Sequence, residues 1–321
     1  MLFVLGPADS IVGSRASYLH DAAGGDGEVV WRTLRSTMRV LVISAGVADL
    51  TPVAAGRVIG AAWADRGHQV AVVPIGVGGQ GLVDAVSGIP GTAVLVPRAG
   101  ESSAELGREL AAASQAGTVL IDLTGDCPDD AGAGLLSTLG GRDVMTGRSL
   151  VGVVRDDELD AVLLGVRGVA ARRSFASGTP DIGAALAGDA ALARLAADVG
   201  MPDPPPGAGA GNGLALAIFA LGGVVRTGPQ AIGDLVDIER SLEAADLVVL
   251  VTDVLDFGGA GIAETRAAAT WAEHGLVPCI AIASRVQISG RELRTFGVES
   301  AYELGDDAAA GAARVAVTWT W

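Results

Sequence analysis

Apolar residues along this chain come in short unbroken runs, set between glycine-rich loops and stretches in which alanine and leucine recur at helical spacing. The runs fall at residues 40–43, 70–73, 92–96, 118–123, 150–154, 247–252 and 277–283. Short runs without polar alternation are what strands covered on both faces require. Between them, residues 51–66, a segment from Leu82, and residues 101–116, 131–139, 181–200, 214–221, 233–245, 264–274 and 289–296 read as helices. Thr51-Pro52 is a strong helix start, a hydroxyl cap followed by proline at the first helical position. Strands alternating with helices predict a parallel, doubly wound α/β sheet whose ligand loops lie at the carboxyl ends of the strands.

Length and composition refine this picture. At 321 residues the chain is long enough for two cores. Residues 202–213, with Pro204-Pro205-Pro206 and alternating glycines, read as a hinge or a ligand loop. Residues 1–37 are rich in Gly, Asp and Ser, and are expected to be an extension that is disordered or not native, with Met38 as the start codon. The net charge of −15 argues against nucleic acid and anionic membrane surfaces as partners, and leaves a small-molecule ligand and a homo-oligomer as the expected ones. The longest apolar run, 213–225, is closed by Arg226 and falls short of the ~18 residues of a membrane span. Cys127 and Cys279 suit a reduced, cytoplasmic protein. His20, His68 and His274 have no metal-ligand spacing, so no metal site is assigned. The chain contains no lysine, and all 22 basic residues are arginine.

Several loops, taken together, carry a family likeness. Val73-Pro74-Ile75-Gly76-Val77-Gly78-Gly79-Gln80-Gly81-Leu82-Val83-Asp84-Ala85 resembles the Val-Pro-Met-Ala-Asp-Gly-Gly-Glu-Gly-Thr-Val-Asp-Ala signature of bacterial ATP-dependent glycerate kinases. Gly125-Asp126-Cys127-Pro128-Asp129-Asp130-Ala131-Gly132-Ala133-Gly134 resembles the family's Gly-Ser-Ala-Thr-Asn-Asp-Gly-Gly-Ala-Gly. Pro206-Gly207-Ala208-Gly209-Ala210-Gly211-Asn212-Gly213-Leu214 is similar to its Pro-Gly-Ala-Gly-Ala-Ala-Gly-Gly-Leu, and Ser289-Gly290-Arg291-Glu292-Leu293 to its C-terminal end. The resemblance implies a flavodoxin-like parallel-sheet domain, residues 38–85 and 207–321, with a second α/β domain, 86–206, inserted into it. It implies ATP and Mg²⁺ as cofactors. It points to Asp130, Asp253 and Asp256 as catalytic candidates and Glu158 and Asp160 as substrate-binding ones. Gly78, Gly79, Gly81, Gly207, Gly209, Gly211 and Gly213 are its candidates for cofactor binding, because backbone N–H groups ahead of a helix bind anions without side-chain charge.

The departures from the family pattern are as informative. Asp49 stands where the family has a lysine, and Val77 and Gln80 where it has Asp and Glu. After Val251 the family's Glu, Arg and Lys are missing, and Ser177 takes the place of another lysine. Charge reversal at a cation position and loss of metal-holding carboxylates remove what phosphoryl transfer needs. Two expectations follow. One is a family protein with weak or no kinase activity. The other is an active kinase of glycerate or a related small hydroxy acid, with its site rebuilt around Asp130, Glu158, Asp160, Asp253 and Asp256.

Overall fold

The computed structural model describes residues 3–5, 37–256 and 262–321. Its strands are β1 (Phe3–Leu5), β2 (Arg39–Ser44), β3 (Gln69–Pro74), β4 (Thr92–Leu95), β5 (Thr118–Asp122), β6 (Ser149–Val154), β7 (Val224–Thr227), β8 (Leu247–Leu255), β9 (Cys279–Val286) and β10 (Ser300–Glu303). The first six helices are α1 (Pro52–Ala64), α2 (Gly79–Val86), α3 (Ala104–Ala112), α4 (Ala133–Leu139), α5 (Val169–Ala176) and α6 (Ile182–Asp198). The others are α7 (Leu214–Ala220), α8 (Gly228–Val236), α9 (Ile238–Ala244), α10 (Ile262–His274), α11 (Gly290–Thr295) and α12 (Ala308–Thr318).

Two sheets result. One has six strands in the order β1-β3-β2-β8-β9-β10, and the other four in the order β4-β5-β6-β7. All pairings are parallel except β1 with β3. The continuous apolar runs have a direct cause. Side chains alternate between the two faces of a strand. On β2, Val40 and Val42 enter one core while Leu41 and Ile43 enter another; β8 divides in the same way, with Val249 and Val251 against Val248 and Leu250. Both faces are covered, so neither tolerates polar residues.

The second sheet shares one of these cores. Leu120 of β5 and Val153 of β6 pack in the same cluster as Leu41, Ile43, Leu82 and Ile232. Helices α2 and α8 supply Leu82, Ala85, Val86, Ala231 and Ile232 to this shared layer. The other face of the second sheet buries Val119, Ile121 and Leu123 with α7 residues Leu214, Ala217 and Ile218.

Several elements differ from the sequence reading. Phe3–Leu5, inside the expected extension, pairs with β3 as an edge strand. Strand β7 and helix α7 lie beyond residue 207, where the chain was expected to return to the first domain, yet β7 pairs with β6. Strand β10 and helices α5 and α12 escaped the pattern. The single helix expected over 233–245 is two helices, because Asp237 adopts φ 53° and breaks the ladder.

Candidate functional site between the two sheets

The loops at the carboxyl ends of both sheets converge where α2 and α8 lie between them. Alternation along β5 puts Asp122 on the same face as Leu120, toward the first sheet. Its carboxylate is only 3 % exposed. Oδ2 accepts the Gly79 backbone N–H at 2.6 Å, and Oδ1 accepts the Thr124 N–H at 3.0 Å and its hydroxyl at 2.6 Å. Gly79 opens α2, so a protein carboxylate stands at that helix's N-terminus, where dipole and free N–H groups favour an anion. The backbone is close here. A Cβ on Gly78 would overlap Thr124, and one on Gly228 would overlap the Gly76 carbonyl oxygen.

Further acids line the seam. Asp156 and Glu158 follow β6 in a short 3-10 turn. Arg266 of α10 donates to Asp156 at 3.0 Å, an ion pair that links the two halves of the molecule. Arg155 donates to the Thr124 carbonyl at 3.2 Å and pairs with Asp157 at 3.3 Å and with Glu158 at 3.6 Å. The Glu158 Oε2 is buried and makes no hydrogen bond; burial raises the pKa of this carboxyl. Glu264, in the first turn of α10, is 7 % exposed, and its Oε2 is likewise buried without a hydrogen-bond partner. Burial, with a smaller push from Asp156, lifts its pKa to about 7. Cys127 sits near the same acids, and burial first, then Glu158, Asp122 and Asp126, pushes its thiol up to about 12, which leaves it protonated and unreactive.

The sequence-predicted residues occupy separate places. Asp130 is a structural clamp. It accepts from Ser103 N (2.8 Å), Ser103 Oγ (3.0 Å), Gly132 N (3.1 Å) and Gly134 N (2.9 Å), tying the start of α3 to the start of α4. Asp253 accepts from Ala48 N at 2.9 Å and Ser284 Oγ at 2.7 Å, which hold its carboxyl below the usual range. It fixes the loop after β2, in which Asp49 is exposed. Asp256 is half-buried at the end of β8, and the residues that follow it, 257–261, lie outside the described ones. Asp160 is exposed.

The glycines of the second candidate loop are packing residues. Gly207, Gly209, Gly211 and Gly213 are all buried. Gly209 donates to Ala161 O, and Gly213 to Gly209 O and Ala210 O. A Cβ at Gly209 would overlap the Val162 carbonyl, which is why glycine is required there. Gly81 lies within α2, and a Cβ there would meet open space.

A cavity of about 520 Å³ opens elsewhere, between α5, α6 and the loop of Asp129 and Asp130. It brings Ser177 and Asp130 to one place, along with Arg173. That arginine is already engaged with Asp129 O (2.8 Å), Asn212 O (3.0 Å) and the Asp129 carboxylate (3.5 Å). The residues that sequence reasoning missed are Asp122, Asp156, Glu264 and Arg266. Asp122 ends an apolar run, the one sequence signal that could have marked it; the others sit together only through the fold. Among the described residues, no three His, Cys, Asp or Glu side chains are grouped to hold a metal ion, and no helix is long and apolar enough to cross a membrane.

Two largely parallel sheets sharing a core, with loops meeting at their carboxyl ends, define a two-domain α/β protein. Residues 158–318, half of the chain, match the sequence model of the glycerate kinase family, and the chain belongs to that family. The fold is similar to the crystal structure of the "putative glycerate kinase 2" of Salmonella typhimurium LT2, with a TM-score of 0.68 and 16 % identity, over 88 % of this chain and 98 % of that one. No curated protein matches the sequence.

Proposed function

We propose that this chain is a glycerate kinase family protein in which ATP-dependent phosphoryl transfer to glycerate is weak or lost, and in which the seam between the sheets survives as a closed cleft. One observation carries the reading. Three of the glycine N–H groups that would cradle phosphates are spent inside the protein, with Gly79 on Asp122, Gly209 on Ala161, and Gly213 on Gly209 and Ala210. The residues present therefore do not fit Mg²⁺ and ATP in the manner the family resemblance implies.

Charge supports the same reading. Asp122, Asp126, Asp156, Asp157, Glu158 and Glu264 gather near the seam, where Arg155 and Arg266 are each paired with a carboxylate and Arg172 is engaged by the Val162, Arg167 and Gly209 carbonyls. A nucleotide triphosphate brought to such a surface meets repulsion rather than the cations that phosphoryl transfer uses. Of the candidates for a rebuilt site, Asp130 has both carboxylate oxygens committed to structural hydrogen bonds, and Asp253 has its Oδ1 committed to two.

The test is a coupled ADP-release assay with D-glycerate, Mg²⁺ and ATP, run beside a lysine-containing family member. Turnover at least about 10³-fold below that control is expected, the typical effect of losing a key transition-state cation. Turnover equal to the control, abolished by Asp253→Ala, would establish the rebuilt kinase and sink this reading.

A further inference from the structure

We propose that the seam between the two sheets is a pH-sensitive latch, in which the Arg266–Asp156 ion pair and the Asp122–Gly79 hydrogen bond hold the halves together while Glu264 stays uncharged, and in which ionisation of Glu264 loosens them. The Arg266–Asp156 pair (3.0 Å) joins α10 of the first half to the turn after β6 of the second. The Asp122–Gly79 bond (2.6 Å) joins β5 to α2. Glu264 sits two residues before Arg266, nine-tenths buried, with one oxygen that has no hydrogen-bond partner.

The electrostatic surroundings of Glu264 point one way. Helix α10 packs against β8, β9, α8 and α9. On β8, Asp253 is bound to Ala48 and Ser284, and Asp256 follows that strand; on β9 the charge is Arg285. On α8, Asp234 is paired with Arg226, and α9 carries Glu239, Arg240 and Glu243. The charge that acts on Glu264 comes from the opposite half, from Asp156, and it is repulsive. Arg266 cannot relieve it readily from position i+2, since residues two apart on a helix do not face each other. Hydration is the remaining relief for an ionised Glu264, and hydration requires the seam to open. The carboxyl titrates at about 7 in the closed protein against 4.5 for an ordinary Glu. Opening is therefore opposed below neutral pH and favoured above it.

Hydrogen exchange of the α2 amides, Gly79 above all, reads this opening directly once intrinsic rates are corrected for pH. Linkage between these two pKa values predicts that protection falls about tenfold from pH 6 to pH 8.5. Glu264→Gln, which cannot ionise, is expected to hold high protection at both pH values. Asp156→Asn, which removes the pair, is expected to have low protection at both. The β8 amides serve as the control for global unfolding and should not change in parallel. Protection in the native protein that is flat between pH 6 and 8.5 would overturn the latch. So would an equal fall in Glu264→Gln, or a fall matched amide for amide in β8.

Discussion

Four residue positions test whether chemistry or packing governs this site. Asp130 was a catalytic candidate in the sequence, and the four donors it accepts make it a clamp between α3 and α4. Asp130→Ala strands those donors and is expected to cost about 2–3 kcal/mol in urea denaturation, since buried groups that lose a charged partner lose more than a neutral bond is worth. Gly228 lies against the Gly76 carbonyl, so Gly228→Ala should destabilise by about 1–3 kcal/mol. Gly81→Ala, in open space within α2, should be neutral or stabilising by up to about 1 kcal/mol by the same measurement. Glu264 gives the pH dependence. Its folded pKa of about 7 lies above the ordinary 4.5, so its contribution is fully present below 4.5 and is lost as pH rises through 7. Relative to Glu264→Gln, the native protein should lose on the order of 2–3 kcal/mol between pH 4 and pH 8.5. Equal pH slopes for the two proteins would refute the burial argument.

At the scale of elements, local chemistry explains starts and stops better than function. Helix α8 begins with a capping box. The Thr227 hydroxyl accepts Gln230 N–H at 3.4 Å, and the Gln230 side chain accepts Thr227 N–H at 3.1 Å, with Pro229 in the first turn. This helix separates the two sheets, so its cap bears on the seam. Thr227→Ala is expected to cost about 1 kcal/mol and to lower the exchange protection of the α8 first turn more than that of β8. The cap's Thr227-Gly228-Pro229 could have been recognised in the sequence, but the apolar pattern drew the helix from Gly233 and ran it through Asp237. The break there is a left-handed backbone, a feature that periodicity does not encode. Helix α5, with Arg172 and Arg173 on a short segment, carries too little apolar pattern to announce itself. The cavity beside it exists because α6 presents Ala184, Ala185, Gly188 and Ala191 there.

For the whole molecule, the division into two sheets with a common core decides what the glycine loops can do. Strands β2, β3, β4, β5, β6, β8 and β9 and most helices were legible from apolar runs, and the central ones are so because a strand buried on both faces must be apolar along its length. Of the four edge strands, β1, β7 and β10 were not, since an edge is half-exposed and its composition less constrained; β4, at the fourth edge, kept an apolar run. Among site residues, the sequence by itself located the loops and the loss of lysine, and placed the chain beside the glycerate kinases, a family to which residues 158–318 assign it. What only the tertiary structure decided is where each loop's hydrogen bonds go. Glycine-rich segments look alike in sequence whether their N–H groups await an anion or are already bonded. Here the parallel register turns Asp122 toward Gly79, and close packing buries Gly207 and Gly209 against the Leu159 and Val162 carbonyls that follow Glu158. The carboxylates Asp156 and Glu264 lie more than a hundred residues apart in sequence, yet the fold brings them near enough that the charge of one acts on the other. Sequence fixes which groups are charged. The distances and dielectric that set how those charges act come only from the fold.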